Sequence, residues 1–163
     1  MIRPTLESDV EHLIRMARGT GVFGDLELQT LREGLDEFFE ELDQPGQLSI
    51  CYELEGRVAG FASYGPAEMT DRSWYLFWII VDQSQQSRGI GSALVGYVEE
   101  KVRSKGGRIL LIETSSLPMY HATRGFYKKL GYDQVATIPD YYADGDDLRV
   151  FRRRLNGLDG APS

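Results

Sequence analysis

The stretch Val81-Asp-Gln-Ser-Gln-Gln86-Ser-Arg-Gly89-Ile-Gly91-Ser-Ala-Leu94 decides how this chain is organised. Before it stands SWYLFWIIV (73–81), an unbroken aromatic and β-branched run that reads as a central strand. After it, Ala93, Leu94, Tyr97, Val98 and Val102 recur at helical spacing, and Gly106-Gly107 ends the helix. The quoted residues are therefore a strand-to-helix junction. Unpaired amides and the positive end of the helix dipole make such a junction an anion site. Gly89 and Gly91 lack a Cβ, so the backbone can wrap closely around phosphate oxygens, and Arg88 adds a charge. A tight turn into a helix needs the same glycines, so the loop alone leaves both readings open.

Outward from the junction, RILLIET (108–114) is a second near-continuous apolar strand. Two buried strands joined through a helix should be parallel, with a right-handed crossover. Upstream, Ser8 and Glu11 have capping-box spacing ahead of a helix whose apolar face is Val10, Leu13, Ile14 and Ala17. A second helix is expected from Asp25 as N-cap, with Leu28, Leu31, Leu35, Phe38, Phe39 and Leu42 on one stripe and a solvated acidic face. After Pro45-Gly46, LSICYEL (48–54) and RVAGFASYG (57–65) flank Glu55-Gly56 as an antiparallel hairpin. Downstream lie a helix, YHATRGFYKKL (120–130), and two strands, YDQVATI (132–138) and DLRVFRRRL (147–155). The reading is a mixed α/β sheet in a single domain, 1–155, with 156–163 as a flexible tail.

Composition bounds the function. The 163 residues are 42% hydrophobic and 26% charged, a soluble balance. A net charge of −7 argues against a nucleic-acid partner. No apolar run is long enough to span a membrane, and no apolar signal core follows Arg3, so a cytoplasmic location is expected and no membrane partner. The single cysteine, Cys51, leaves no internal disulfide, and no Cys/His spacing suits zinc; no metal is expected.

Two familiar phosphate loops fail at the junction. A Walker A loop needs Lys-Ser/Thr after its second glycine, and Ile90-Gly91-Ser92-Ala93 has none; a Rossmann fingerprint needs a third glycine where Leu94 stands. The order Gln86-x-x-Gly89-x-Gly91 after a Val-Asp strand end resembles the pyrophosphate-binding motif of GCN5-related N-acetyltransferases (GNAT), whose ligand is acetyl-coenzyme A. Gly125-Phe-Tyr127-Lys-Lys-Leu-Gly131-Tyr132 is similar to that family's signature in its fourth helix and following strand, and the order of elements matches from Arg3 to about Leu155. The nearest likeness is to the ribosomal-protein alanine N-acetyltransferase branch.

This resemblance implies a mostly antiparallel sheet with one parallel strand pair, flanked by helices. It implies acetyl-CoA as co-substrate, with the backbone of Ile79, Ile80 and Val81 pairing with the pantetheine arm as an added strand would. Amides of Ser87, Arg88, Gly89, Ile90, Gly91 and Ser92 would hold the pyrophosphate, with Gln86 fixing the loop. A backbone amide near Ile79 would face the thioester carbonyl. Where many members carry Asn after the fifth strand, this chain has Ser115-Ser116-Leu117-Pro118-Met119-Tyr120, leaving Ser116 or Tyr120 to replace that contact.

Acetyl transfer to an amine needs a base for the ammonium and an acid for the departing thiolate. The signature places Tyr127 as the acid; the alternative is an aromatic residue packing on the sheet. Alternation puts Ile109, Leu111 and Glu113 on one strand face, and a carboxylate at the C-terminal end of a parallel strand sits where open α/β sheets bind ligands. Glu113 is thus the candidate base, against a plain strand-end carboxylate, with His121 or water as rivals. His12 reads as a surface residue and Cys51 as a small buried hydrophobe, which leaves direct transfer in a ternary complex. In ATIPDYYADGDDLRVF, Tyr141, Tyr142 and Asp144 are acceptor-site candidates, or a solvated turn on Asp144-Gly145. Tyr64, Trp74 and Phe23 either line the same groove or are core. The expected partner is a small-molecule amine or a protein or peptide amine, and a homodimer is allowed. The competing function is an acyl-CoA-binding sensor or interaction domain of the same fold.

Overall fold

Glu55 and Gly56 both take positive φ, +52° and +77°, and this mirror-image turn closes strand β2 (Leu48–Leu54) onto β3 (Arg57–Pro66). The hairpin belongs to a computed structural model that describes residues 1–41 and 47–156. Leu42 and Pro45-Gly46, and the expected tail from 157 onward, lie outside the described residues. The remaining elements are β1 (Ile2–Pro4), α1 (Val10–Gly19), α2 (Asp25–Glu40), β4 (Ser73–Val81), α3 (Ile90–Ser104), β5 (Ile109–Ser115), α4 (His121–Lys129), β6 (Asp133–Ala143) and β7 (Asp146–Arg154). The strands follow the order β1-β2-β3-β4-β5-β7-β6 in one seven-stranded sheet. β4 and β5 pair in parallel, from Ser73↔Ile109 to Leu76↔Ile112, as the apolar strand–helix–strand pattern requires. The mixed α/β fold expected from the sequence is therefore present.

Two compact units make up the chain: Met1–Gly65 with Trp78–Tyr97, and Pro66–Phe77 with the chain from Val98 onward. In the first, α1 and α2 bury Leu13, Ile14, Ala17, Leu28, Leu31 and Leu35 against Phe61 and Val58 of β3, Cys51 of β2 and Ile80 of β4. Removing one such leucine side chain costs about 2–5 kcal/mol. Phe23 belongs to this core, tilted against Trp78 at 5.6 Å, and Tyr64 and Trp74 are buried, so all three resolve to the packing alternative.

Helix starts differ from the sequence expectation. Ser8 does not cap α1; a 3₁₀ turn at Glu7–Asp9 leads into it, and the Asp9 carboxylate accepts from the Leu6 N–H at 2.8 Å. Asp9 outcompetes Ser8 because Arg3 holds it from β1, with contacts of 2.8 and 3.1 Å. Gly24, not Asp25, is the N-cap of α2. The short β1 is an element that the periodicity does not reveal, since three residues are too few for a pattern.

In the second unit, Tyr127 of α4, Tyr132 just after it and Phe151 of β7 form a ring cluster at centroid distances of 5.9–6.2 Å. Beside it, Glu99 of α3 accepts from the Tyr132 hydroxyl at 3.2 Å and from Arg153 of β7 at 2.7 Å. That ion pair holds α3 to the strand ladder, with the Glu99 carboxylate almost fully buried.

Candidate active site

In the first unit, the junction after β4 is built to leave backbone donors uncommitted. Asp82 opens it: its N–H donates to Ala59 O of β3 at 2.9 Å, and its carboxylate accepts from Ser84 N and Oγ at 2.8 and 2.6 Å. Those bonds from Ser84 hold the Asp82 carboxyl below its usual range. Arg88 donates to Gln85 Oε1 at 2.6 Å, which bends the loop over itself. It is Gln85 whose side chain is tied into the loop, while Gln86 stands exposed with extended backbone.

Ser87 and Gly89 then take positive φ, +66° and +80°. The first amide to bond backward along α3 is that of Ala93, to Gly89 O at 3.0 Å. Among the described residues, the amides of 86–92 donate to no acceptor. They therefore form a run of open donors at the positive end of a 15-residue helix. An added Cβ at Gly89 would meet nothing within 4 Å, so the space beside this glycine is open. This fits a phosphate-bearing ligand.

Close seating of the helix depends on Gly60 of β3. An ideal Cβ there would stand 2.7 Å from Ile90 Cγ2 and 2.9 Å from Leu94 Cδ1. Any side chain would push the helix start away from the strand. The sequence reading passed over Gly60; a glycine inside an otherwise apolar strand is the signal that could have found it. Ile79, Ile80 and Val81 are the last three residues of β4, with Ile80 buried.

In the second unit, Tyr127 is 3% exposed, and burial pushes its phenol well above the ordinary range. It stays protonated at neutral pH, as an acid must. Its hydroxyl bonds to no other described residue, whereas that of Tyr132 is committed to Glu99. Glu113 is exposed near the end of β5 and makes no ion pair with a described residue. Its register partner on β7 is Val150, and that of Ile112 is Phe151. Since Tyr127 packs on Phe151, Glu113 and Tyr127 occupy opposite faces of the β5–β7 ladder.

The β5–α4 loop is firmly held: Arg124 donates to Ser115 O and Leu117 O at 2.8 and 3.0 Å, and Ser115 Oγ donates to Asp146. Ser116 Oγ accepts from Asp147 N–H at 2.8 Å, so this hydroxyl already braces the β6–β7 hairpin. Tyr141 and Tyr142 stand edge to face at 5.0 Å, both exposed on β6. Partial burial, then the Glu113 charge, pushes Tyr142 up to about 12. Asp146 is also among the groups acting on Tyr142, whereas Asp144 lies exposed at the hairpin tip. Tyr75 of β4 is raised by burial and by the charge and hydrogen bonding of Glu113, and its ring stacks on Phe77 at 5.8 Å. Neither Tyr75 nor Phe77 stands out in the sequence, where both disappear into one apolar run.

The other reactive side chains fall away. His121 is exposed at the first position of α4. His12 is not a simple surface residue: it is half-buried and bonds the Val58 carbonyl at 2.9 Å. Cys51 is fully buried and its thiol is pushed up to about 11, chiefly by that burial. Among the described residues no cluster of metal-ligating side chains occurs, and no helix is long and apolar enough to cross a membrane.

Comparison with known proteins identifies the family. Residues 10–132 match the profile of the Acetyltransferase (GNAT) family. A crystal structure from Desulfovibrio desulfuricans, of a protein assigned to the GNAT acetyltransferases, superposes with a TM-score of 0.90 at 32% identity, covering 95% of this chain and 98% of that one. The fold is also that of an aminoglycoside 6'-N-acetyltransferase complexed with coenzyme A (TM-score 0.75, 20% identity, 95% and 97% covered). A ribosomal-protein-alanine N-acetyltransferase from Brucella melitensis is similar in fold too (TM-score 0.77, 22% identity, 95% and 99% covered). None of the curated proteins matches the sequence. With three-quarters of its length inside the family profile and a 32%-identical structure matched end to end, the chain belongs to the GNAT family of acetyltransferases.

Proposed function

We propose that the protein moves an acetyl group from acetyl-CoA to a primary amine by direct attack in a ternary complex. The observation that carries the proposal is the run of uncommitted amides at 86–92, where the backbone turns through positive φ at Ser87 and Gly89 into α3. Amides of Ser87 to Ser92 hold the pyrophosphate, Arg88 adds charge, and Gln86 sets the loop's entry. The backbone of Ile79, Ile80 and Val81 pairs with the pantetheine arm, and an amide near Ile79 polarises the thioester carbonyl.

Glu113 takes a proton from the acceptor ammonium. The freed amine nitrogen then attacks the thioester carbonyl carbon, a C–N bond forms and the C–S bond breaks. Tyr127 gives its phenolic proton to the departing thiolate, and the second proton, shed by the attacking nitrogen, returns through solvent to the phenolate. The buried, high-lying thiol of Cys51 supports transfer without an acyl-cysteine intermediate. Tyr141, Tyr142 and Asp144 belong to the acceptor side.

The test is thermal stabilisation together with turnover. Acetyl-CoA should raise Tm where ATP and NAD do not, and free thiol should appear when amines are added. Stabilisation by ATP or NAD in place of acetyl-CoA would sink the assignment of the loop.

A further inference from the structure

One face of the strand ladder in the second unit is aromatic around a single carboxylate. The parallel register Tyr75↔Leu111 puts Tyr75 on the face of β5 that carries Leu111 and Glu113. Phe77, two residues on, shares that face and is 47% exposed; the Tyr75 and Phe77 rings lie within 20° of parallel. Tyr142 is near enough for its phenol to feel the Glu113 charge, and Tyr141 stands against it. Across β7, the same face continues as Val150 opposite Glu113, Arg152 opposite Leu111 and Arg154 opposite Ile109.

We infer that the acceptor is an amine with one positive charge on an apolar or aromatic body, an arylalkylamine in chemical class, received by Tyr75, Phe77 and Tyr142 around Glu113. This rests on the transferase reading and narrows its substrate. Aromatic faces attract an ammonium through the ring quadrupole, and the Glu113 carboxylate adds its charge to that attraction. Apolar walls at Phe77 and Val150 favour a hydrocarbon body over a hydroxyl-rich one. Polycations fare worse, because a second ammonium lying along the ladder toward Ile109 meets Arg154. Hydrogen bonds fix the orientation of three hairpin carboxylates: Asp146 accepts from Ser115, Asp147 from the Asp140 N–H and Asp140 from the Gly145 N–H, while Asp144 stays exposed.

The experiment uses the full chain with acetyl-CoA and three probes: 2-phenylethylamine, spermidine and kanamycin. The expected kcat/KM for 2-phenylethylamine exceeds both others by about tenfold or more. The quaternary analogue (2-phenylethyl)trimethylammonium, which cannot be acetylated, should compete with it and bind in calorimetry. Tyr75→Phe should keep KM within about threefold, while Tyr75→Leu raises it about tenfold with kcat little changed. Tyr142→Leu, at an exposed position, repeats the KM test without risk to the core. Preference for spermidine or kanamycin, or an unmoved KM in both leucine variants, overturns the inference. Calorimetric binding of the quaternary ion that is lost in Tyr142→Leu, in a protein that acetylates no amine, upholds this site while removing the transferase reading. A dimer that forms through this face and excludes the quaternary ion also overturns it.

Discussion

Gly60 lies directly beneath Ile90: a Cβ on the glycine would come within 2.7 Å of the isoleucine's Cγ2. The start of α3, and with it the run of open amides, is thereby seated on β3 at a distance that only hydrogen allows. Gly60→Ala should cost about 1–3 kcal/mol by overpacking. It should also weaken acetyl-CoA binding, because the helix start must move. The double variant Gly60→Ala/Ile90→Ala, which removes that Cγ2, should recover part of the lost coenzyme affinity, as read by coenzyme titration.

At Gly89 space is not the constraint, since a Cβ would meet nothing; the φ of +80° is. Gly89→Asn should therefore cost less than Gly89→Val, which should lose about 1 kcal/mol or more of stability, because asparagine tolerates left-handed backbone. Coenzyme affinity measured by calorimetry should follow the same order, and equal affinities would detach the loop's conformation from binding.

Tyr127→Phe removes a hydroxyl that bonds to no other described residue while keeping the ring against Phe151 and Tyr132. Stability and acetyl-CoA affinity should be nearly unchanged, and kcat should fall by about a hundredfold, the low end for loss of a general acid. A variant with full turnover would return Tyr127 to a purely packing role.

Asp9 should contribute to acid stability. Burial alone would raise its carboxyl pKa, but hydrogen bonds from Arg3 and the Leu6 N–H outweigh this and hold it below the ordinary value. A lowered folded-state pKa contributes stability above the unfolded value, near pH 4, and the contribution is lost as pH falls through the folded value. Asp9→Asn should cost about 3 kcal/mol at neutral pH by leaving Arg3 half-paired, and should flatten the acid limb of a plot of unfolding free energy against pH. An unchanged limb would assign acid sensitivity elsewhere.

Much of this architecture was legible because its signals are local and strong. The apolar runs at 73–81 and 108–114, the Glu55-Gly56 turn and the helical spacing of Ala93 to Val102 each have one physical solution, and each element stands where expected. The family likeness rested on Gly89, Gly91 and the 125–132 signature, which are contiguous in sequence. What was not legible is what depends on distant strands. Asp9 rather than Ser8 stands at the start of α1, its carboxylate held by the Leu6 N–H and by Arg3 from another element. Gly60 matters because of a helix thirty residues later, and Tyr75 acquires meaning only once the β4–β5 register sets it beside Glu113. Alternation gave Glu113 its face but could not say which rings share it.

The outermost strand, β6, carries its own safeguard. All eleven of its residues are exposed, including Val135, Ile138, Tyr141 and Tyr142, and it ends the sheet order. Such an edge would ordinarily recruit strands from other molecules and seed fibrils. Pro139 withholds a donor, Asp140 turns the backbone through +55°, and the pairing with β7 slips twice along its length. The strand can thus keep an apolar surface in water without becoming a template for aggregation.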